Sequence, residues 1–236
     1  MKAPELWKEV FGEAHPPGED GPWNPEWVHP PSLDSYRGVS DWLAPDFYYS
    51  KQLGWTATAI VGMIADFALT YLQGDILEIG VGISSIFLTG LAKKFKRKLY
   101  QCDVEAGKIL NPLTVPGYLS EDSKFYCMAS DDMFAKKEIT PLAFAFIDGD
   151  HNYAQVKKDF WNMVPLMVDN GYIMLHDTYP PTEDYVDPQM CGDVYKLRQE
   201  LENDKRFDCI TLVGYGSYIA CTLIRVKPVN RPYYQE

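Results

Sequence analysis

Residues 75–90 read Asp75-Ile76-Leu77-Glu78-Ile79-Gly80-Val81-Gly82-Ile83-Ser84-Ser85-Ile86-Phe87-Leu88-Thr89-Gly90. The short apolar run Ile76, Leu77 and Ile79 fits a strand buried on both faces. Gly80 and Gly82 then make a Gly-x-Gly turn, after which Ile86, Phe87, Leu88, Leu91, Ala92 and Phe95 recur at helical spacing. Strand, glycine turn and helix is the arrangement with which α/β proteins build a nucleotide pocket. The glycines let the backbone approach a ligand closely, and the helix N-terminus offers unpaired N–H groups. Ser84 or Ser85 is placed to cap that helix.

Two details sharpen this motif. A dinucleotide fingerprint calls for a third glycine at position 85, where this chain has Ser85. Glu78 stands two residues before Gly80, at a strand end where a carboxylate is costly without a cationic partner. An acidic residue followed by Gly-x-Gly resembles the first motif of class I S-adenosylmethionine-dependent methyltransferases, whose ligand carries an amine and a sulfonium. The bland alternative is a structural strand, turn and helix that holds no ligand.

A chain of 236 residues suffices for one sizeable α/β domain with a full core. A formal charge of −11 argues against nucleic acid and against an anionic membrane surface, both of which select basic faces. The five cysteines (Cys102, Cys127, Cys191, Cys209 and Cys221) are dispersed, odd in number and without a C-x-x-C pair. They read as reduced thiols, and with no signal-peptide pattern at the N-terminus the expectation is a cytoplasmic protein.

Residues 1–45 differ from the rest. They hold four of the six tryptophans and eight of the 17 prolines. So many prolines forbid long helices and central strands, while the tryptophans require something to pack against. An extended arm follows as the expectation, covering the domain, a partner subunit of a homo-oligomer, or the substrate mouth. His15 and His29 lie in it without an assigned role. Residues 46–227 form the domain proper, and 228–236 a polar tail.

Within the domain, residues 54–72 carry Ile60, Met63, Ile64, Phe67, Ala68 and Tyr71 at helical spacing. Asp66 and three threonines make this a core helix rather than a membrane span. Lys98–Cys102 reads as a strand ending at Asp103, 21 residues past Gly82, which suits hydrogen bonds to ribose hydroxyls. Residues 104–122 show little periodicity. A strand over Phe125–Met128 is followed by Ser130, Asp131 and Asp132.

Ala143–Ile147 is an apolar strand that runs into Asp148-Gly149-Asp150-His151-Asn152-Tyr153. The next helix has Tyr153, Val156, Phe160, Met163, Val164 and Met167 on one face and is expected to stop at Asp169-Asn170-Gly171. A strand over Tyr172–Leu175 then closes on His176-Asp177-Thr178. The acidic, proline-bearing loop from Tyr179 to Cys191 has the character of a substrate lid. An amphipathic segment over Val194–Leu201 precedes two strands, Phe207–Val213 and Tyr218–Val226, which read as an antiparallel pair.

The alternation gives a doubly wound, mostly parallel sheet. Ligands of such sheets bind outside the carboxyl ends of the strands, where Glu78, Asp103, Asp148 and Asp177 all fall. Four carboxylates on one rim need cations to neutralise them: a sulfonium, a divalent metal, or both.

Phe146-Ile147-Asp148-Gly149-Asp150-His151-Asn152-Tyr153, followed by Gly171-Tyr172-Ile173-Met174-Leu175-His176-Asp177-Thr178, resembles the methyltransferase subfamily of macrolide-sugar O-methyltransferases such as macrocin O-methyltransferase. It is more distantly similar to catechol-type O-methyltransferases. The resemblance spans about residues 54–226 and implies the seven-stranded, Rossmann-like class I fold with a final antiparallel strand. It implies S-adenosylmethionine held by Glu78, Gly80, Gly82, Ser84, Asp103, Ser130, Asp131 and Asp148, with Asp131 beside the adenine, a helix cap being the alternative for that residue. The metal-dependent relatives hold Mg²⁺ on residues that map to Asp148, Asp177 and His176. The last replaces an acid with imidazole, a poorer Mg²⁺ ligand. The general base of those relatives maps to His151, and imidazole at a strand-end turn beside two carboxylates suits that work.

The function expected is methyl transfer of the EC 2.1.1 type to a hydroxyl of a small-molecule acceptor, a sugar or glycosylated metabolite, with His151 and Asp148 catalytic. Alternatives left open are a non-catalytic cofactor-binding or assembly module of the same fold, an N-methyltransferase, and, disfavoured by Ser85, an NAD-dependent oxidoreductase.

Overall fold

The strand at Asp75–Ile79 (β1) sits third in a seven-stranded sheet of order β3-β2-β1-β4-β5-β7-β6. The structure is a computed structural model that describes residues 55–82, 84–105, 123–213 and 220–228. The expected arm over 1–45, residues 106–122, residues 214–219 and the expected tail beyond residue 228 lie outside those ranges. β1 pairs in parallel with β2 (Leu99–Asp103) and β4 (Leu142–Ile147), and β2 pairs in parallel with β3 (Lys124–Cys127). β5 (Met167–Leu175) runs parallel to β4. β7 (Ala220–Val226) lies antiparallel between β5 and β6 (Phe207–Val213).

The apolar character of the central strands follows from cover on both faces. Ile76 points to a cluster with Val61, Ala65, Ala68, Leu88 and Leu91 from helices α1 (Trp55–Tyr71) and α2 (Ser84–Phe95). Leu77 and Ile79 point to the opposite cluster. That cluster joins Met133 of α3 (Ser130–Ala135), Phe160 and Met163 of α4 (Tyr153–Met163), and Leu197 and Leu201 of α5 (Tyr195–Leu201). Among the described residues no helix is long and apolar enough to cross a membrane.

Two expectations are corrected here. The face of α1 that packs on the domain is Val61, Ala65, Ala68 and Leu69, whereas Met63, Phe67 and Tyr71 are exposed. The helix is apolar nearly all round, so periodicity did not single out a face; small residues decided it. Gly62 lies so close to the Phe87 ring that a Cβ there would sit 3.2 Å from it. The second correction is at α4, which ends at Met163 rather than near residue 168. Pro165 lacks an N–H and falls in a 3₁₀ turn over Val164–Leu166. The next strand therefore begins at Met167, and the expected terminator Asp169-Asn170-Gly171 lies inside it as a register shift, with Asn170 at φ 64°.

The parallel pairing of β1 and β4 brings their carboxyl ends into contact. Gly80 adopts φ 85°, and a Cβ there would lie 1.9 Å from the carbonyl oxygen of Asp148. Gly80→Ala is therefore expected to destabilise the domain by about 3 kcal/mol or more, through overpacking against backbone and an unfavourable φ. Gly82→Ala, with no atom within 4 Å of its Cβ position, should shift stability far less. Urea unfolding of the two variants against the parent chain measures the difference.

Candidate active site

The ends of β1, β2, β3 and β4 and the start of α4 enclose a cleft of about 410 Å³. Ile79 and Gly80 contribute from the first strand, Cys102 to Glu105 from the second, Met128 to Ser130 from the third, and Gly149, Asp150, Gln155 and Asp159 from beyond the fourth. The glycine turn forms its edge as expected. Gly82 is exposed, with open space where a side chain would stand.

Glu78 does not face this cleft. It alternates to the α2 side of the sheet and is fully buried beneath the first turn of that helix. Ser84 Oγ donates to Oε1 at 2.6 Å, Ser85 Oγ to Oε2 at 2.6 Å, and Gln101 Nε2 to Oε2 at 2.7 Å. Three neutral donors thus meet the buried carboxylate. Burial nevertheless outweighs them, and the carboxyl is pushed up to about 7. Ser85 Oγ also accepts from Gly82 N at 3.2 Å, so the same network shapes the turn.

Asp103, at the end of β2, lines the cleft and accepts from Val81 N and Glu105 N, both at 2.9 Å. Ser130 lines it too. Asp131 does not; its Oδ2 pairs with Lys158, while Oδ1 is buried without a hydrogen-bond partner. Two residues that sequence reasoning missed, Gln155 and Asp159, take part in the wall. Asp159 is 1% exposed, accepts from Ser130 Oγ at 2.5 Å, and is pushed up to about 6 by burial. The signal for it was present, since an acid stood on the apolar stripe between Val156 and Phe160.

Beyond the cleft, Asp148, His151, His176 and Asp177 converge on the rim of β4 and β5. His176 Nδ1 lies 2.9 Å from Asp148 Oδ1 and 3.0 Å from Asp177 Oδ2. The atom is buried, and neither contact reaches hydrogen-bond alignment, so the attraction is charge on charge. Burial works against the cation here, but the two carboxylates win and hold the imidazole well above its ordinary range. His151 Nε2 stands 3.3 Å from Asp177 Oδ2. The helix cap that competed with a chemical role for His151 is made by Asn152, which accepts from Ala154 N. Asp177 holds φ 56°, a left-handed conformation unusual outside glycine and asparagine or aspartate. The thiols of Cys102, Cys191 and Cys221 are each pushed up to about 12 by burial, which removes them as nucleophiles.

The raised Glu78 carboxyl has a consequence for stability. The unfolded chain ionises it from about 4.5 and the native state only from about 7, so the native state holds the extra proton between these values. Its contribution to stability therefore falls as pH rises through that window. His176, also raised, loses its favourable contribution from its ordinary value near 6.5 upward, in the parent chain and in a Glu78 variant alike. Thermal unfolding between pH 5 and pH 7.5 is expected to show a shallower decline in Glu78→Gln than in the parent chain, whatever the offset between the two curves.

Residues 77–178 match the family profile described as a methyltransferase domain. No curated protein sequence matches the chain. Among solved structures, an O-methyltransferase from Bacillus cereus in complex with SAH is 17% identical, with 75% of this chain and 83% of that one covered at a TM-score of 0.55. The O-methyltransferase TomG from Streptomyces achromogenes, involved in tomaymycin synthesis and solved with SAM, is 16% identical, with 97% and 100% covered at 0.57. Cofactor-bound Rv0187 from MTB is 15% identical, with 84% and 90% covered at 0.59. The chain thus has the Rossmann-like fold of class I methyltransferases, and its methyltransferase-domain match runs from β1 to the turn after β5, the segment that carries the cleft and the rim.

Proposed function

We propose that the protein transfers a methyl group from S-adenosylmethionine to a hydroxyl of a small-molecule acceptor, with His151 as general base. The observation that carries this is the adjacency of two features on one sheet edge. One is a glycine-edged cleft with Asp103 at its second strand; the other is a rim on which His151 is paired with Asp177. The cleft suits the cofactor: Gly82 leaves space at the turn, and apolar Ile79, Val104 and Met128 offer walls for a flat ring. When bound, the cofactor supplies an electrophilic methyl on a sulfonium.

The protein's own groups then have two tasks. The rim holds the acceptor oxygen in line, and His151 removes its proton through Nδ1, the ring nitrogen opposite the one paired with Asp177. Asp177, 3.3 Å from Nε2, stabilises the imidazolium that forms. His176 keeps Asp148 and Asp177 from repelling one another by lying between them as a cation. The sugar or glycosylated acceptor remains part of the proposal and rests on the macrocin O-methyltransferase resemblance.

The donor set does not fit Mg²⁺. Asp148, His151 and Asp177 each offer one ligand atom within 4.8 Å of the others, a spacing suited to a single ion. Mg²⁺ demands oxygen ligands, however, and here the third donor is imidazole while His176 already neutralises both carboxylates. The proton transfer is assigned to protein groups alone.

Calorimetric titration of S-adenosylhomocysteine into the full chain should give micromolar binding that Asp103→Ala weakens at least tenfold. His151→Ala should lower kcat about 10²- to 10³-fold while leaving that affinity within threefold. Absence of binding by the folded parent chain ends this reading. Binding with turnover indifferent to His151 leaves the cofactor but removes the base.

A further inference from the structure

We infer that Asp193 is a positioning residue for His151: it grips the backbone on both sides of Asn152 and so holds the imidazole against Asp177. This rests on the general-base reading above and adds to it the part that keeps the base in place.

Asp193 makes the grip with its backbone and its side chain together. Its N–H donates to the His151 carbonyl at 3.1 Å. Its Oδ1 accepts from Tyr153 N at 2.5 Å, while Lys196 Nζ donates to Oδ2 at 2.9 Å. Tyr153 N is one of the N–H groups that a helix start leaves without an intrahelical acceptor. Asn152 spends its own side chain on Ala154 N, so the two caps are divided between two residues.

Gly192 lets the two segments come this close. It adopts φ 56°, and a Cβ there would lie 2.1 Å from the His151 carbonyl oxygen and 2.7 Å from His151 Cβ. The contact therefore reaches the first atom of the imidazole-bearing side chain. Cys191, buried beside it, donates its thiol to Asp177 Oδ1 at 3.5 Å. Three consecutive residues thus touch both members of the His151 and Asp177 pair, and none of the three lines the cleft.

With its backbone fixed, His151 keeps Nε2 3.3 Å from Asp177 Oδ2. A carboxylate only accepts, so the neutral ring carries its proton on Nε2 and leaves the Nδ1 lone pair for the acceptor's proton. A displacement of about 1 Å weakens that pairing and frees the proton to move to Nδ1, which spoils the base. A side chain that only capped α4 would change stability and leave the ring as it is.

The test is nitrogen NMR of the full chain labelled at histidine, at alkaline pH where the rings are neutral, with the His151 signals identified by their loss in His151→Gln. The parent chain should show one protonated and one unprotonated ring nitrogen, widely separated. Asp193→Ala should lose most of that separation as the two tautomers average. Asp193→Asn, which still offers Tyr153 an oxygen, should keep it. Affinity for S-adenosyl-L-homocysteine should stay within about threefold in both variants, because the grip lies outside the cleft. If Asp193→Ala does not fold, exchange of the Tyr153 amide hydrogen in the parent chain decides. Exchange as slow as that of Val156, the first hydrogen-bonded turn of α4, supports the grip, and exchange at the rate of an open helix end overturns it. Averaged tautomers in the parent chain, or unchanged ring signals in a folded Asp193→Ala of lower melting temperature, also overturn it. These outcomes are independent of the methyl-transfer reading, which falls if the parent chain binds no S-adenosyl-L-homocysteine even while the ring signals behave as expected.

Discussion

A carboxylate buried among neutral donors shapes the glycine turn that edges this domain's cleft. Glu78 joins three elements: its own strand β1, the first turn of α2 through Ser84 and Ser85, and β2 through Gln101. Ser85 in turn accepts from the Gly82 N–H, so the path of the glycine turn is tied to the same carboxyl. Burial pushes the group up to about 7 even with three donors, which means the desolvation cost exceeds what neutral hydrogen bonds return. The turn it shapes, together with the close crossing of Gly80 over the Asp148 carbonyl, sets where the strand ends stand relative to one another.

Much of the architecture was legible because the sheet is covered on both faces. Strands such as Ala143–Ile147 cannot alternate polar and apolar residues and so read as continuous apolar runs. Position in the sheet then followed from alternation with helices, and the strand ends delivered Asp103, Asp148, His151 and Asp177 to one edge. The packed face of α1 was not legible, because a helix apolar on nearly all sides gives no phase, and the choice fell to Gly62, Ala65 and Ala68. The start of β5 was missed because a proline in mid-segment outweighed a periodicity that ran on through Met167.

Site residues divided along a similar line. Residues tied to a motif by spacing stand at the sheet edge where spacing put them, whereas Gln155 and Asp159 belong to no motif and are brought to the cleft by the docking of α4 against the start of α3. Glu78 was singled out for its cost, and its protein partners are the neutral donors of Ser84, Ser85 and Gln101. The parity of a strand decides which face a side chain takes, and Glu78 shares the parity of Ile76. Asp131 shows the reverse case. Its neighbour Ser130 points into the cleft, while Asp131 meets Lys158 at the surface.

The backbone of Asp177 narrows what that position can become. A φ of 56° is cheap only for glycine, asparagine and aspartate. Of these, only aspartate places a negative charge between the imidazoles of His151 and His176. Two independent filters, one conformational and one electrostatic, therefore intersect in a single amino acid. A survey of all nineteen replacements would find position 177 among the least tolerant in the domain, with asparagine losing the charge and glutamate losing the conformation.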